Sequence, residues 1–214
     1  MKNSSSVPEQ PQPKPCANEP IAHSLYVLVD HNTYLVANAF GDIDGGAVGM
    51  FHHDTRLLSK YQLTVAGRRP SLLSAAVSQD NVYFRSHLTN HPLPVLGEED
   101  TPRGVIHIER KRFLWEERMF ECISLFNYSE QPGKLPIDLR FCGDFLDMFE
   151  VRGQRRPLRG TSSEPEIFEQ GVVLHYNGLD NQQRCMAISF SESAEHISGD
   201  SASFQIDIGA HQSR

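Results

Sequence analysis

The chain has 214 residues, of which 39% are hydrophobic and 22% are charged, and its formal net charge is −7. This composition is typical of an ordinary soluble domain and excludes an intrinsically disordered chain. The acidic balance argues against a general nucleic-acid binder, because phosphate contacts need clustered Lys and Arg. No stretch reaches the roughly 20 apolar residues that span a bilayer, and no apolar run near the start resembles a signal peptide. The sequence therefore predicts a cytoplasmic protein that binds neither nucleic acid nor membrane.

The first 20 residues are polar and rich in proline, and they predict a disordered leader. Residues 21–214 are then expected to form the folded domain. Of the four cysteines, Cys16 lies in the leader, whereas Cys122, Cys142 and Cys185 lie in strand-like apolar runs typical of reduced, buried thiols. No C-x-x-C pair is present, so the sequence predicts no structural zinc site, no other metal and no cofactor.

From Leu25 onwards, short apolar runs alternate with turn residues. Residues 25–29 and 33–37 predict two strands joined by a hairpin turn at Asp30-His31-Asn32. Further along, residues 61–65 and 82–88 each place apolar and polar side chains in turn, which predicts strands with one buried face.

The strongest strand signal is the pair of runs at 104–114 and 118–128, with Trp115-Glu116-Glu117 at the turn between them. The same alternation returns at residues 135–141, and then in two shorter runs near the end of the chain. About a dozen strand candidates with almost no helical periodicity predict an all-β fold, most simply an antiparallel β-sandwich.

One segment, residues 144–150, has the spacing of a short helix instead. Asp144 is the predicted cap, with Asp147 near the positive end of the helix. Asp144, Asp147 and Glu150 are also the only compact acidic cluster on a predicted ordered element, and a glycosidase would use two carboxylates as acid and base. The cluster is nonetheless more typical of a capped, solvated helix face, and the polar residues 152–165 after it predict a surface loop.

A second cluster combines two histidines with charged residues at His52-His53-Asp54-Thr55-Arg56. A metal site is the less favoured interpretation, because adjacent side chains on a strand point in opposite directions. Asp54 and Arg56 lie two residues apart and would share a strand face, so the pattern favours an ion pair between them.

The remaining features predict structure more than chemistry. Trp115 is expected to pack in the core or against another domain, because apolar residues precede it. The arginines at 152, 155, 156 and 159 are expected to lie in a solvated loop, although they could contact phosphate or a partner domain. No nucleophile elbow and no nucleotide-binding glycine motif is present, so no catalytic residue is predicted.

A series of motifs follows in order along the chain: Gly41-Asp42-Ile43, Gly49-Met50-Phe51, Asp54-Thr55-Arg56-Leu57-Leu58-Ser59, Arg112-Phe113-Leu114-Trp115, Asp144-Phe145, Asp147-Met148-Phe149-Glu150-Val151-Arg152-Gly153 and Tyr176-Asn177-Gly178-Leu179-Asp180. In this order, the motifs resemble the N-terminal domain of bacterial and archaeal glycogen debranching enzymes of the amylo-alpha-1,6-glucosidase type. The resemblance extends from about residue 22 to the end of the chain.

The resemblance implies a supersandwich-like β-sandwich that precedes an (α/α)-barrel, with the catalytic carboxylates in the barrel. Because the chain ends at Arg214, before any barrel sequence, we expect it to be the non-catalytic part of a glycoside hydrolase. Its expected partner is the barrel, in cis or in trans, which it would buttress and whose substrate cleft it would help to shape. The charged residues within the motifs are the candidates for this cleft or inter-domain surface: Asp54, Arg56, Asp147, Glu150 and Arg152.

Three other functions remain open at this stage. The chain could be a free-standing carbohydrate-binding module for an α-glucan or another oligosaccharide, which would need exposed aromatic residues on one face. It could be a hydrolase that uses the cluster of Asp144, Asp147 and Glu150. It could also be a scaffold or oligomerisation module, because sandwich edges can pair between identical chains.

Overall fold

The computed structural model describes residues 24–93 and 101–214, whose regular elements are all strands apart from one short helix. The prediction of an all-β fold is confirmed. The predicted leader, residues 1–20, lies outside the described residues. The secondary-structure elements are β1 Leu25–Asp30, β2 Thr33–Asn38, β3 Ile43–Asp44, β4 Gly49–His52, β5 Thr55–Leu58, β6 Lys60–Val65, β7 Ser71–Val77, β8 Tyr83–Thr89, β9 Ile106–Trp115, β10 Arg118–Asn127, β11 Gly133–Cys142, α1 Met148–Val151, β12 Thr161–Ser162, β13 Glu166–Phe168, β14 Gly171–Asn177, β15 Gln183–Ser189, β16 His196–Ile197 and β17 Ser201–Ile208.

The strands pair antiparallel throughout and form four sheets in the described part of the chain. The first sheet has the order β1-β2-β4-β5, the second β10-β9-β8-β7 and the third β16-β17-β11-β6-β3. In the fourth sheet, β14 pairs with β12 and β13 and also with β15. The prediction of antiparallel strands is confirmed, but the four sheets do not form the two clear layers of a simple sandwich. No helix of the described ranges is both long and apolar enough to cross a membrane.

Both predicted hairpins are present. β1 pairs with β2 around the turn at His31, and β9 pairs with β10 around Glu116 and Glu117. Glu116 and Glu117 have φ angles of 47° and 64°. Positive φ at both central residues is the signature of a type I′ turn, whose twist matches that of the flanking strands.

The alternating runs bury the side chains that their pattern predicts. In β6, Tyr61, Leu63 and Val65 are buried, and in β11 every second residue from Leu135 to Phe141 is buried.

The same alternation explains why the expectation of buried cysteines is wrong. Cys122, Cys142 and Cys185 are free but exposed, since each alternates with an inward-facing neighbour and therefore points away from the core.

The largest fully buried side chains are two arginines of β9, Arg110 and Arg112. Arg110 donates from Nη1 to Asp42 Oδ1 at 2.6 Å and from Nε to Glu121 Oε1 at 2.8 Å, and Arg112 Nε donates to the same Glu121 oxygen at 2.7 Å. Tyr61 lies across both guanidinium groups, with its ring centroid 5.6 Å from Arg110 Cζ and 5.0 Å from Arg112 Cζ. We call these five residues the buried ion network.

The buried ion network ties three sheets together. Asp42 directly precedes β3 of the third sheet and also accepts from Leu63 N of β6 at 3.2 Å. Arg110 Nη1 donates a second hydrogen bond, of 2.9 Å, to Phe40 O, just beyond β2 of the first sheet. Glu121 lies directly opposite Arg112 in the second sheet. Removing one member of such a network leaves a buried charge without its partner, which is more costly than the net worth of the intact pair.

The pKa of Glu121 makes the network sensitive to acid. Burial alone would raise it, but Arg110 and Arg112 outweigh burial and lower the pKa to about 2 from the ordinary value of 4.5. A carboxylate with a lowered pKa stabilises the fold fully above the unfolded value, and this stabilisation is lost as the pH falls towards the folded value. The difference corresponds to about 3 kcal/mol of the free energy of unfolding.

We predict that Glu121→Gln lowers the free energy of unfolding by about 3–5 kcal/mol at pH 7, because buried Arg112 loses its counter-ion and buried Arg110 is left with Asp42 alone. The gap between wild type and variant should narrow as the pH falls from 4.5 to 2, since the wild-type carboxylate is then protonated. Urea unfolding at several pH values measures both effects, with Glu164→Gln in the exposed loop as the control. A gap that stays constant across this pH range would contradict the assigned role of Glu121.

Candidate functional site

The α1 region lies along the free edge of β5, so that the motif at residues 54–59 meets the motif at residues 147–153. Arg56 N donates to Leu146 O at 2.7 Å, and Met148 N donates to Asp54 O at 2.9 Å. The chain just before α1 therefore continues the first sheet, and the turn between β4 and β5 lies beside the helix. We call the resulting face the α1 surface, defined as Asp54, Asp147, Phe149, Glu150 and Arg152.

Arg56 was predicted to belong to this exposed surface, but its side chain is only 7% exposed. Its Nε and Nη2 donate to the two oxygens of Asp144 at 3.1 and 2.6 Å. Its Nη1 donates to Gly46 O at 2.6 Å and to Val48 O at 3.2 Å. Arg56 therefore positions the α1 region by clamping it to the loop before β4, and its guanidinium is not available to an outside partner.

The predicted ion pair between Asp54 and Arg56 is wrong. His53 and Asp54 have φ angles of 42° and 62°, so both lie in a tight turn and not on a strand. The rule that residues two apart share a face does not hold through a turn. Gly49 is required beneath the clamp, because a Cβ at this position would lie 2.5 Å from Arg56 Cδ.

The predicted cap of the helix is also corrected: it is Asp147 and not Asp144. Asp147 Oδ1 accepts hydrogen bonds from Phe149 N at 2.8 Å and Glu150 N at 2.9 Å. In return, Asp147 N donates to Glu150 Oε2 at 3.1 Å. This reciprocal arrangement is a capping box, which satisfies amide groups that the first turn leaves without partners. Asp144 is too early in the chain to do this and pairs with Arg56 instead.

Two arginines of the following loop complete the set of ion pairs. Arg156 Nη2 donates to Asp147 Oδ2 at 2.6 Å, and Arg159 Nε lies 3.1 Å from Glu150 Oε1. Arg159 Nη2 also donates to Asp144 O at 2.9 Å, so the loop is held against the α1 region. The loop itself is exposed over most of its length, as predicted.

The acidic cluster therefore has the organisation of a structural cap. Burial by itself raises the pKa of Asp147, but the Glu150 N–H and the Arg156 guanidinium outweigh it and hold the pKa below its ordinary value. A general acid needs a pKa raised towards the working pH. Because each of Asp144, Asp147 and Glu150 also faces an arginine, the geometry favours the structural interpretation over an acid–base pair.

The exposed part of the α1 surface consists of Arg152, Phe149 and Asp54. Phe149 is 60% exposed, although an aromatic ring would normally be at least half-buried. Arg152 is exposed at the C-terminal end of α1. Burial and the Asp54 carboxylate raise the pKa of Tyr34, while Arg152 opposes them.

Trp115 is 58% exposed at the tip of the β9–β10 hairpin, so the prediction that it packs in the core is wrong. It shares the outer face of the second sheet with Phe113, Phe120 and Tyr83. Neighbouring ring centroids in this row are 5.9 Å apart for Tyr83 and Phe113, 5.1 Å for Phe113 and Phe120, and 6.4 Å for Phe120 and Trp115. We call these four residues the aromatic row.

The same hairpin tip reaches the β4–β5 turn. His52 Nε2 lies 3.8 Å from Glu117 Oε2, and the His52 and His53 ring centroids are 4.2 Å apart. The sequence pattern made a metal site the less favoured interpretation, because both histidines were expected to lie on a strand. His52 does end β4, but His53 lies in the turn, and its positive φ brings the two rings to the same side.

Comparison with known proteins identifies one family. A family model described as the N-terminal domain of (some) glycogen debranching enzymes matches residues 28–214. No curated protein matches the chain.

We predict that Arg56→Met destabilises the protein by about 3 kcal/mol, because Asp144 and two loop carbonyl groups lose their partner. Arg155→Met, in the exposed loop, is the control and should change the free energy of unfolding by less than about 0.5 kcal/mol. Equilibrium urea unfolding measures both. Equal stability of the two variants would exclude the clamp as the anchor of the α1 region.

Proposed function

Because the chain belongs to the family of N-terminal domains of glycogen debranching enzymes, we propose that it is a non-catalytic accessory domain that packs against a catalytic (α/α)-barrel. The parent enzyme is then a cytoplasmic glycoside hydrolase of the amylo-alpha-1,6-glucosidase type, with an α-glucan as its substrate. The observation that carries this proposal is the α1 surface, where an exposed aromatic ring and an exposed arginine are held on a rigid support.

The rigidity of the support matters for docking. The capping box, the Arg56 clamp and the Arg156 and Arg159 ion pairs all hold α1 in place before any partner arrives. A preorganised surface loses little conformational entropy on binding, so more of the contact energy contributes to affinity. Aromatic residues and arginine are also the residue types that are enriched at protein interfaces.

The five predicted surface residues divide into two roles under this proposal. Arg152 and Asp54, which flank the exposed Phe149, make contact with the barrel or with the rim of its substrate cleft. Arg56, Asp147 and Glu150 position these contacts through their ion pairs and the helix cap.

We also propose that the four sheets form a supersandwich-like arrangement within a single domain spanning residues 21–214. Face-to-face packing of the first and second sheets supports it. The Tyr26 ring of β1 lies 5.3 Å from the Phe84 ring of β8, and the Tyr26 hydroxyl donates to Ala75 O of β7 at 3.3 Å. The third sheet meets them at the buried ion network.

A second candidate function, direct binding of carbohydrate, is favoured by the aromatic row. Aromatic faces stack on the apolar faces of sugar rings, and a ladder of exposed rings on one sheet face offers several such contacts. Tyr83 is 59% exposed and Trp115 is 58% exposed. Under this alternative, an α-glucan chain lies across the outer face of the second sheet.

We predict that Arg152→Glu and Phe149→Ser each lower kcat/KM of the barrel-containing enzyme about tenfold or more, which corresponds to a loss of about 1.4 kcal/mol at the interface. Neither variant should change the unfolding midpoint of the domain alone, because both side chains are exposed. Arg155→Glu is the charge-matched control. The intact mass of the endogenous protein shows first whether domain and barrel share one chain.

Unchanged kinetics and unchanged thermal unfolding of the enzyme in both variants would contradict docking through the α1 surface. A drop in stability of the domain alone would show that these side chains support the fold and do not contact a partner.

For the alternative function, we predict saturable quenching of Trp115 fluorescence by maltoheptaose. Trp115 is the sole tryptophan of the chain, so the signal reports one position. Tyr83→Ala should weaken binding about tenfold, because one stacking contact is lost. Tyr128→Ala, which removes an exposed ring beyond the opposite end of β10, should leave the affinity unchanged. Linear quenching without saturation would eliminate this function.

A further inference from the structure

Two tight turns from different sheets place three metal-ligating side chains together. His52 and His53 lie at the end of β4 and in the turn that follows it, and Glu117 lies at the tip of the β9–β10 hairpin. One nitrogen of each imidazole and one oxygen of the carboxylate all lie within 4.8 Å of one another. The cluster involves neither the contacts of the α1 surface nor the rings of the aromatic row.

His52 is oriented as a metal ligand would be. Its Nδ1 lies 2.8 Å from the hydroxyl of Thr33, which is fully buried. When Nδ1–H donates to this hydroxyl, Nε2 carries the free lone pair, and Nε2 is the atom that faces Glu117 at 3.8 Å. Histidines that bind metals typically hold their second ring nitrogen in this way, which sets both the tautomer and the ring orientation.

The backbone of both turns is unusual for the residues that occupy it. His53, Asp54, Glu116 and Glu117 all have positive φ. Two-residue hairpin turns of this kind strongly prefer Asn-Gly or Gly, and a bulky residue there costs about 1 kcal/mol or more. His53 and Glu117 thus occupy turn positions that glycine would fill at lower cost, and strained positions of this kind are frequent at functional sites.

We infer that His52, His53 and Glu117 form a binding site for a divalent transition-metal ion, with Zn²⁺ as the best match. Two imidazoles and one carboxylate are a ligand set that zinc takes in proteins, with a water molecule in the fourth position. Calcium and magnesium prefer oxygen ligands only. Ligand atoms around tetrahedral zinc are about 3.3 Å apart, whereas these atoms lie within 4.8 Å of one another, so the cluster needs to contract by up to about 1.5 Å. His53 and Glu117 are exposed and can rotate to achieve this.

A bound ion would join the first sheet to the second at the end of the domain that carries the α1 surface. His53 directly precedes Asp54, whose carbonyl oxygen accepts the hydrogen bond from Met148. Glu117 is two residues from Trp115, the last member of the aromatic row. The metal would therefore tie together the two structural features on which the candidate functions depend.

The competing explanation is an ordinary exposed ion pair between His52 and Glu117. Such pairs contribute about 0–1 kcal/mol and bind no metal. The two explanations differ in metal stoichiometry, in selectivity and in the effect of His53, which the ion pair does not involve.

The test is calorimetric titration of the untagged, chelator-treated full chain with ZnCl₂, and separately with MgCl₂. We expect one Zn²⁺ per chain, an increase in Tm with Zn²⁺, and neither effect with Mg²⁺. His53→Asn and Glu117→Gln should each weaken Zn²⁺ binding about tenfold or more, since each removes one ligand. Thr33→Val should weaken it about 10-fold to 100-fold by releasing the His52 ring.

The matched control is His31→Asn. His31 is an exposed histidine at positive φ in the β1–β2 turn, and asparagine tolerates this conformation in both variants. Zn²⁺ binding equal to wild type in His53→Asn and Glu117→Gln would overturn the inference, as would absence of stoichiometric binding by the wild type. Because both side chains are exposed, loss of binding can be separated from misfolding by the unchanged Tm of the metal-free variants.

Discussion

The fold depends on charges that are buried in its centre. Arg110, Arg112, Glu121 and Asp42 lie where a β-protein normally places aliphatic side chains, and Arg110 alone contacts three sheets. Each hydrogen bond has a required direction, whereas apolar contacts tolerate sliding. The network therefore sets the relative position of the sheets, and the surrounding apolar residues exclude water from it. Not every donor of the network has a partner. The two Nη atoms of Arg112 make no hydrogen bond among the described residues, and the Tyr61 ring covers this guanidinium group.

The same principle is repeated at the edge of the first sheet. Arg56 is buried and holds Asp144 from a motif that is distant in sequence, so ion pairs fix the α1 region together with the buried Phe145 ring just before the helix. A helix of four residues cannot support itself, because forming its first turn is unfavourable. The capping box, the Arg56 clamp and the two loop arginines supply the stability that the intrinsic helix propensity of four residues does not. This explains why a helix with an exposed Phe149 can exist there at all.

Period-two alternation predicted the strands well because it depends on local geometry alone. β6, β11 and the β9–β10 hairpin all bury the residues expected from it. The features that it missed or mispredicted depend on information that alternation lacks. Arg110 and Arg112 occupy inward positions because Glu121 of β10 and Asp42, just before β3, neutralise them. Trp115 and the three cysteines occupy outward positions despite their apolar character. Asp54 was assigned a strand partner because its turn contains no glycine or proline, so that the sequence pattern predicted a strand there.

The features that alternation missed are concentrated at one end of the domain. The β4–β5 turn, the β9–β10 tip and α1 meet there, and together they expose Trp115, Phe149, His53 and Arg152. A surface that is exposed only to solvent would be expected to carry small polar residues, with glycine at its tight turns. This end instead has left-handed turns without glycine and large exposed rings, and it is supported by the buried Arg56 clamp and by the ion pairs of Arg156 and Arg159. The ion pairs beneath this surface thus hold exposed side chains in position, although these side chains do not themselves stabilise the fold. This organisation is expected of a surface that meets a partner or a ligand.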